Sequence, residues 1–379
     1  MRKTYKFRIY PSRSQGSKLE NQFSMCRHLY NWSLAERIEA WEKEKRSVSY
    51  TDQQNQLPTL KKEKPWYKDV HSQVLQDVLT RLDKAYKNFF REKKGYPKFK
   101  AKDCYSSITY TQYSKIPIDK VELPKIGKIA LRLHRNFPEN AQIKTLTIKK
   151  EADKWFACFS LDIPVVHQEL KQEIARGIDL GLESFLTDSE GQKVETPSFL
   201  KQFSQKIARL QRKIAQQKKG SARRKYFIRA LQKVFFRLRC KRTDWLHKTA
   251  NSLVEQNDLL FAEKLHVQNM LEQEDDCKRR KTATNQRITD VCWSQFLLLL
   301  CYKMPEKGKY FGQVPSAYTS QRCSICGRIE PKTLEQREHI CSCGCRFDRD
   351  HNAAKNILAL GLESLTLSSL EAPTRVFQT

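Results

Sequence analysis

No stretch of this 379-residue chain stays apolar for long. The longest run, "FLLLLCY" from Phe296 to Tyr302, falls far short of the roughly 20 apolar residues that span a bilayer. No membrane partner is expected. The opening "MRKTYKFRIYPS" is basic but has no apolar core behind it, so it does not read as a signal peptide. The expected location is the cytoplasm. Negative charge is also scarce: 42 Asp and Glu stand against 71 Lys and Arg, a net charge of +29. That imbalance exceeds what solubility needs and points to a large polyanion as partner.

In a reducing compartment the cysteines are not expected to form disulfides. Of the twelve, Cys26, Cys104, Cys158, Cys240, Cys277, Cys292 and Cys301 are scattered and read as small hydrophobes, while five gather between Cys323 and Cys345 as candidate metal ligands.

The chain is long enough for two or three domains. "TYKFRIY" alternates like a strand and stops at Pro11, after which Ser12 or Ser14 can cap a helix through about Trp41. A second amphipathic helix is predicted over 72–91, with Val74, Leu75, Val78, Leu79, Leu82, Ala85 and Phe89 on one face. The polar stretch around 50–66 reads as their connection. From about 105 to 163 the period becomes two, as in antiparallel β structure, and the opening strand is expected to join that sheet, leaving the helices as an insertion. Beyond Pro164 come a strand "ARGIDLGL", a hairpin "FLTDSEGQKVE", a long helical region, a strand "DLLFAEKL", a helix over 294–303 and a last helix from Asn352. This order suits a mixed α/β layer fold.

Between Lys201 and Arg242 there are sixteen Lys and Arg and no acid. A solvated helix face ordinarily mixes signs. A face of one sign repels itself unless phosphates neutralise it, so Lys218, Lys219, Arg223, Arg224 and Lys225 are candidate nucleic-acid contacts.

Asp179 and Glu263 each close an apolar strand, and Asp350 stands just ahead of "HNAAKNIL". Each alone could be a solvated terminus or an N-cap. A mixed sheet can gather all three, and clustered carboxylates raise one another's pKa unless cations join them. Magnesium, as a pair of ions, is the expected ligand, because hard oxygen donors suit it and two ions can drive in-line phosphodiester hydrolysis.

"CSIC" (Cys323, Cys326) reads as half of a zinc ribbon, with Gly327 at the knuckle's turn. The second half lacks the usual spacing: "CSCGC" offers Cys341, Cys343 and Cys345. Cys341 with Cys343 places Gly344 as Gly327 is placed in the first knuckle; Cys341 with Cys345 also completes a tetrahedral thiolate site for one zinc.

The segments "YKFRIYPSRSQ", "CRHLYNWSLAER", "LQDVLTRLDKAYKNFF", "GYPKFK", "GIDLGLESF", "DWLHK", "FAEKLHVQNM", "TSQRCSICG" and "FDRDHNAAKNIL", in that order, make the chain resemble TnpB, the OrfB-type protein of bacterial insertion sequences and a relative of type V CRISPR effectors. The resemblance implies a multidomain α/β protein with an RNase H-like RuvC nuclease domain and zinc ribbon, plus a wedge-like β-barrel and a helical recognition insertion. On that order the expected domains are the first barrel strand (1–10), the helical domain (11–104), the barrel (105–172), the nuclease domain (173–315, with a basic helical insertion 199–256), the zinc ribbon (316–346), the last nuclease helix (347–362) and a disordered tail (363–379). It implies a transposon endonuclease, guided by RNA from the transposon end, that cuts double-stranded DNA beside a short target-adjacent motif. Asp179, Glu263 and Asp350 would be the catalytic acids, with Asp348 supporting the turn. By the same resemblance Tyr50 and Gln76 fall at positions used in related proteins to contact the motif duplex; Ser72 stands where a longer basic residue is usual. The alternatives are a guided DNA-binding repressor without cleavage and an unguided zinc-ribbon nucleic-acid-binding protein.

Overall fold

The computed structural model describes residues 2–92, 94–164, 174–272, 278–333 and 336–371. Cys277, the expected boundary at 172 and the last eight residues of the expected tail lie outside them. The chain divides into two compact units, Met1–Val165 and Val166–Thr379. Among the described residues no helix is long and apolar enough to cross a membrane.

In the first unit, β1 (Arg2–Tyr10) ends at Pro11, which has no N–H to continue a ladder. The helix α1 (Arg13–Glu44) starts on a capping box: Gln15 N donates to Ser12 Oγ at 3.2 Å, and Ser12 N donates to Gln15 Oε1 at 3.0 Å. Next comes α2 (Tyr50–Glu63), capped likewise by Ser49 and Asp52. It lies where a polar connection was expected, because it buries only Gln53, Leu57 and Leu60 and so shows little apolar periodicity. Then α3 (Ser72–Glu92) buries Val74, Leu75, Val78, Leu79 and Leu82, spaced to form one stripe.

Five strands follow: β2 (Ser107–Tyr110), β3 (Lys120–Leu123), β4 (Gly127–Arg132), β5 (Gln142–Glu151) and β6 (Lys154–Asp162). With β1 they form an antiparallel sheet in the order β2-β5-β6-β1-β4-β3. The opening strand lies between β6 and β4, in register from Arg2↔Asp162 to Ile9↔Trp155, so α1 to α3 are an insertion between its strands. Among the described residues the outer strands β2 and β3 do not pair with each other, so the order is open rather than a closed barrel.

The second unit runs β7 (Ala175–Asp179), β8 (Ser184–Asp188), β9 (Lys193–Glu195), α4 (Phe199–Ala215), α5 (Ala222–Gln256), β10 (Leu259–Glu263), α6 (Val267–Glu272), α7 (Lys278–Val291), α8 (Trp293–Glu306), β11 (Tyr310–Val314), β12 (Glu338–Ile340), β13 (Arg346–Asp348) and α9 (Arg349–Glu371). Five strands form a mixed sheet, β11-β10-β7-β8-β9, with β11, β10 and β7 parallel and the β7-β8-β9 meander antiparallel. Alternation divides β10 between two cores. Leu260 and Ala262 pack with Phe185, Leu246 of α5 and Phe296 and Leu300 of α8; Leu259 and Phe261 pack with Ile357 of α9.

Two glycines let α9 lie close on the sheet. A Cβ at Gly177 would come within 2.2 Å of the Ala354 carbonyl oxygen and 2.6 Å of the Leu358 nitrogen. One at Gly361 would meet the Phe261 ring at 2.2 Å.

The disordered tail expected from 363 is corrected up to Glu371, where α9 continues. Leu365 still packs against the core of Leu259 and Phe261, which extends the helix past the expected stop. Of the scattered cysteines, Cys104, Cys240 and Cys301 are exposed, not the buried small hydrophobes expected.

Candidate metal centres

Ile178 pairs with Ala262 across β7 and β10, and one residue later both strands end, in Asp179 and Glu263. Because Ile178 and Ala262 face the α5 and α8 side, alternation turns the two carboxylates toward the α9 side. There the first turn of α9 brings Asp350. A Cβ at Gly181, in the turn after β7, would lie 3.8 Å from Asp350 Oδ2. The three acids named from the sequence therefore converge.

Their electrostatics are those of a crowded anionic site. Burial pushes the Asp179 carboxyl well above its ordinary range, and the charges of Glu263 and Asp350 add to the shift; the Arg349 guanidinium and the Leu180 N–H oppose it. Burial likewise raises Glu263, against a hydrogen bond donated by the Thr319 hydroxyl to Glu263 Oε1. Arg349 Nε lies 3.4 Å from Asp350 Oδ1.

Asp348 caps α9, accepting from Asp350 N at 3.0 Å and His351 N at 3.2 Å, and pairs with Lys193 Nζ at 2.8 Å. Two buried asparagines fasten α9 to the chain around Cys323. Asn352 Nδ2 donates to the Arg322 carbonyl at 2.7 Å while its Oδ1 accepts from Ser324 N at 3.0 Å. Asn356 Nδ2 donates to the carbonyls of Thr319 at 2.8 Å and Arg322 at 2.7 Å. Sequence reasoning passed over Thr319, Arg349, Asn352 and Asn356. The asparagines at i and i+4 inside an apolar helix were the available signal.

The cysteines converge as a second centre. Cys323 Sγ lies 3.7 Å from Cys343 Sγ and 3.2 Å from Cys345 Sγ, and Cys326 Sγ lies 3.5 Å from Cys341 Sγ. Both knuckles turn on glycine with positive φ, Gly327 at 77° and Gly344 at 87°, donating to the carbonyls of Cys323 and Cys341. Two four-ligand sets can be drawn: Cys323, Cys326, Cys341 and Cys343; or Cys323, His339, Cys341 and Cys345. His339, on β12, was not foreseen. Burial pushes the Cys323 thiol up, but the backbone N–H groups of Cys326 and Ile325, with Cys345 and His339, bring it down to about 5. Cys341 is lowered as well, while Cys326, Cys343 and Cys345 are raised, so without metal the negative charge gathers on Cys323 and Cys341.

The remaining candidates are dispersed. Lys218, Lys219, Arg223 and Lys225 are exposed around the turn joining α4 to α5. Arg224 instead spends its guanidinium on the carbonyls of Ile214, at 2.8 Å, and Gln217, at 3.2 Å. In the first unit Tyr50 opens α2 and Gln76 lies on α3, both half-buried; Ser72 accepts from Lys61 Nζ at 2.8 Å.

Residues 158–274 match the OrfB_IS605 family, described as "Probable transposase"; 293–357 match the Cas12f1-like TNB domain; 1–46 match a helix-turn-helix domain of the OrfB_IS605 family, although they form one strand and one long helix. A Streptomyces pristinaespiralis protein provisionally named an RNA-guided DNA endonuclease is 32% identical, over 96% of this chain and 90% of its own length. The Escherichia coli (strain K12) protein InsQ, with the same provisional name, is 30% identical, over 94% and 92%. A Cas12f1 chain solved by cryo-EM with guide RNA and target DNA is 16% identical, covering 94% of this chain and 99% of its own, with a TM-score of 0.36.

Proposed function

This chain belongs to the TnpB family of OrfB/IS605 transposon proteins, and we infer from that membership that it is an RNA-guided DNA endonuclease. The observation that carries a nuclease site is the convergence of Asp179, Glu263 and Asp350, with Asp179 held well above its ordinary pKa by burial and by the other two acids. The parallel and antiparallel strand order β11-β10-β7-β8-β9 supports an RNase H-like, RuvC-type reading.

The donors fit magnesium: hard oxygen atoms whose mutual repulsion a divalent cation relieves. When bound, magnesium supplies positive charge against the phosphate and lowers the pKa of water. The chain's own residues do the rest. Asp179 and Glu263 hold their oxygens side by side on adjoining strand ends, Thr319 fixes the Glu263 carboxylate, and Arg349 steadies Asp350. Two ions are proposed, which Asp179, Glu263 and Asp350 would hold.

The cysteines fit zinc, which takes four soft ligands at tetrahedral positions; Cys323, Cys326, Cys341 and Cys343 are the proposed set. An RNA from the transposon end is the proposed guide. Base pairing then reads the target, while Tyr50 and Gln76 contact the adjacent motif.

The test is to purify the protein with its native locus, sequence the bound RNA, and challenge the complex with a plasmid library of randomised flanks. Magnesium-dependent cutting beside one short motif is expected. Asp179→Ala should abolish cutting and leave RNA and target binding intact; equal loss of binding would make Asp179 structural.

A further inference from the structure

Between β11 and the first cysteine pair the chain makes a strained turn. β11 ends at Val314, whose carbonyl accepts from Lys264 N at 2.9 Å, and Pro315, with no N–H to donate, stops the strand. Tyr318 then has a φ of 61°, in the left-handed region that favours glycine and disfavours a large side chain. Gln321 N and Arg322 N hold it there, donating to the Tyr318 carbonyl at 3.1 and 2.9 Å. Packing does not offset the strain: Tyr318 is 60% exposed, and its side chain makes no hydrogen bond or ring contact among the described residues. A large ring kept in a costly conformation, with nothing in the fold that needs it, points to a role toward a ligand.

Tyr318 is one wall of a cavity of about 180 Å³, whose other walls include the apolar Ile329 and Leu360 and the polar Thr319, Arg322 and Asn356. Asn356 is only 5% exposed; its Nδ2 serves the Thr319 and Arg322 carbonyls, but its Oδ1 accepts no hydrogen bond among the described residues. A buried amide oxygen without a donor is satisfied by one from a ligand. The exposed Arg322 side chain likewise has no hydrogen bond or ion pair among the described residues, although both asparagines pin its carbonyl. An aromatic face, apolar neighbours, a spare acceptor and a spare cation are the parts that hold a nucleobase and its phosphate. Thr319 joins this cavity to the carboxylates, since its hydroxyl donates to Glu263 Oε1.

We propose that the cavity takes one unpaired nucleobase of the DNA strand to be cut, stacked on Tyr318. The proposal rests on the endonuclease reading above and adds to it the place where the strand is held. A base inside a duplex has no free face to stack on, so the occupant is unpaired. Stacking is open to every base, so the site holds the strand without selecting its sequence.

The full-length protein with its co-purified RNA, free of magnesium, is bound to target DNA carrying iodouracil at successive positions of each strand and irradiated. Mass spectrometry should place a crosslink on Tyr318. With magnesium restored, Tyr318→Leu should slow cutting about tenfold with target binding unchanged, and Tyr318→Phe, which keeps the ring face, should lose far less. Tyr318→Gly separates this from a structural role: glycine relieves the positive φ, so the unfolding midpoint should rise while cutting falls. No crosslink to Tyr318, unchanged cutting in Tyr318→Leu, equal loss in Tyr318→Phe, or a lowered midpoint in Tyr318→Gly overturns the stacking site and leaves the endonuclease reading standing. An unaltered complex that does not cut overturns both. Crosslinking uses the unaltered protein, so the proposal stays open to refutation even if a variant fails to fold.

Discussion

Asp179 is the residue at which burial and like charge meet. Its carboxyl holds a proton more tightly in the folded chain than in the unfolded one, so folding takes up protons between the ordinary carboxylate pKa and the raised folded value. The contribution of Asp179 to the stability of the magnesium-free protein is therefore full below the ordinary carboxylate pKa and is lost as pH rises through the folded one. Asp179→Asn should flatten that slope and, at neutral pH without magnesium, stabilise the protein. Denaturant titrations at a series of pH values check this; an unchanged slope would mean that the carboxyl is solvated. Asp179 and Glu263 were legible because an apolar strand ending in an acid is a local pattern, and Asp350 because an acid just ahead of an apolar helix is another. Thr319 and Arg349 were not, because a hydroxyl or guanidinium acquires meaning only from what folds beside it.

Among elements, α9 does the most to assemble the site. Gly177 meets the backbone of α9, so Gly177→Ala has no side chain to displace and should cost about 1 to 3 kcal/mol while moving Asp350 off β7. Cleavage should fall further than the stability loss alone explains, measured on protein held well below its unfolding temperature. Gly361→Ala meets a side chain, the Phe261 ring, so adding Phe261→Leu should recover part of its cost. Asn356→Leu strips the donor from two carbonyls and should destabilise by about 1 to 3 kcal/mol, seen as a lower unfolding midpoint. Long stripes such as α3 were readable from periodicity. The helix α2 was hidden by its polar surface and Pro58, and β11 by its five residues, which include Gly312 and Gln313.

Over the whole molecule, the excess of Lys and Arg makes salt the natural probe. Replacing Lys218, Lys219, Arg223 and Lys225 with Gln should flatten the dependence of log affinity for nucleic acid on log salt by about 0.7 to 0.9 for each phosphate no longer neutralised. Arg224→Gln should instead lower thermal stability, because its guanidinium closes the α4 end. An unchanged slope in the fourfold variant would assign those cations to solubility. The order of helical and sheet segments was readable because each change in period marks a change of element; the last zinc ligand was less so, because spacing favours Cys343 beside Cys341 but leaves Cys345 eligible.

The order in which the sheet is filled has a consequence during synthesis. Asp179 and Glu263 leave the ribosome on strands that can pair while the chain is still growing, but α9 is the last described element to emerge. A nascent chain therefore carries the basic α4–α5 hairpin well before Asp350 joins Asp179 and Glu263. On the proposed reading, a chain stopped ahead of Asp350 lacks one of the three carboxylates, together with the helix that packs on the sheet, and cannot cut.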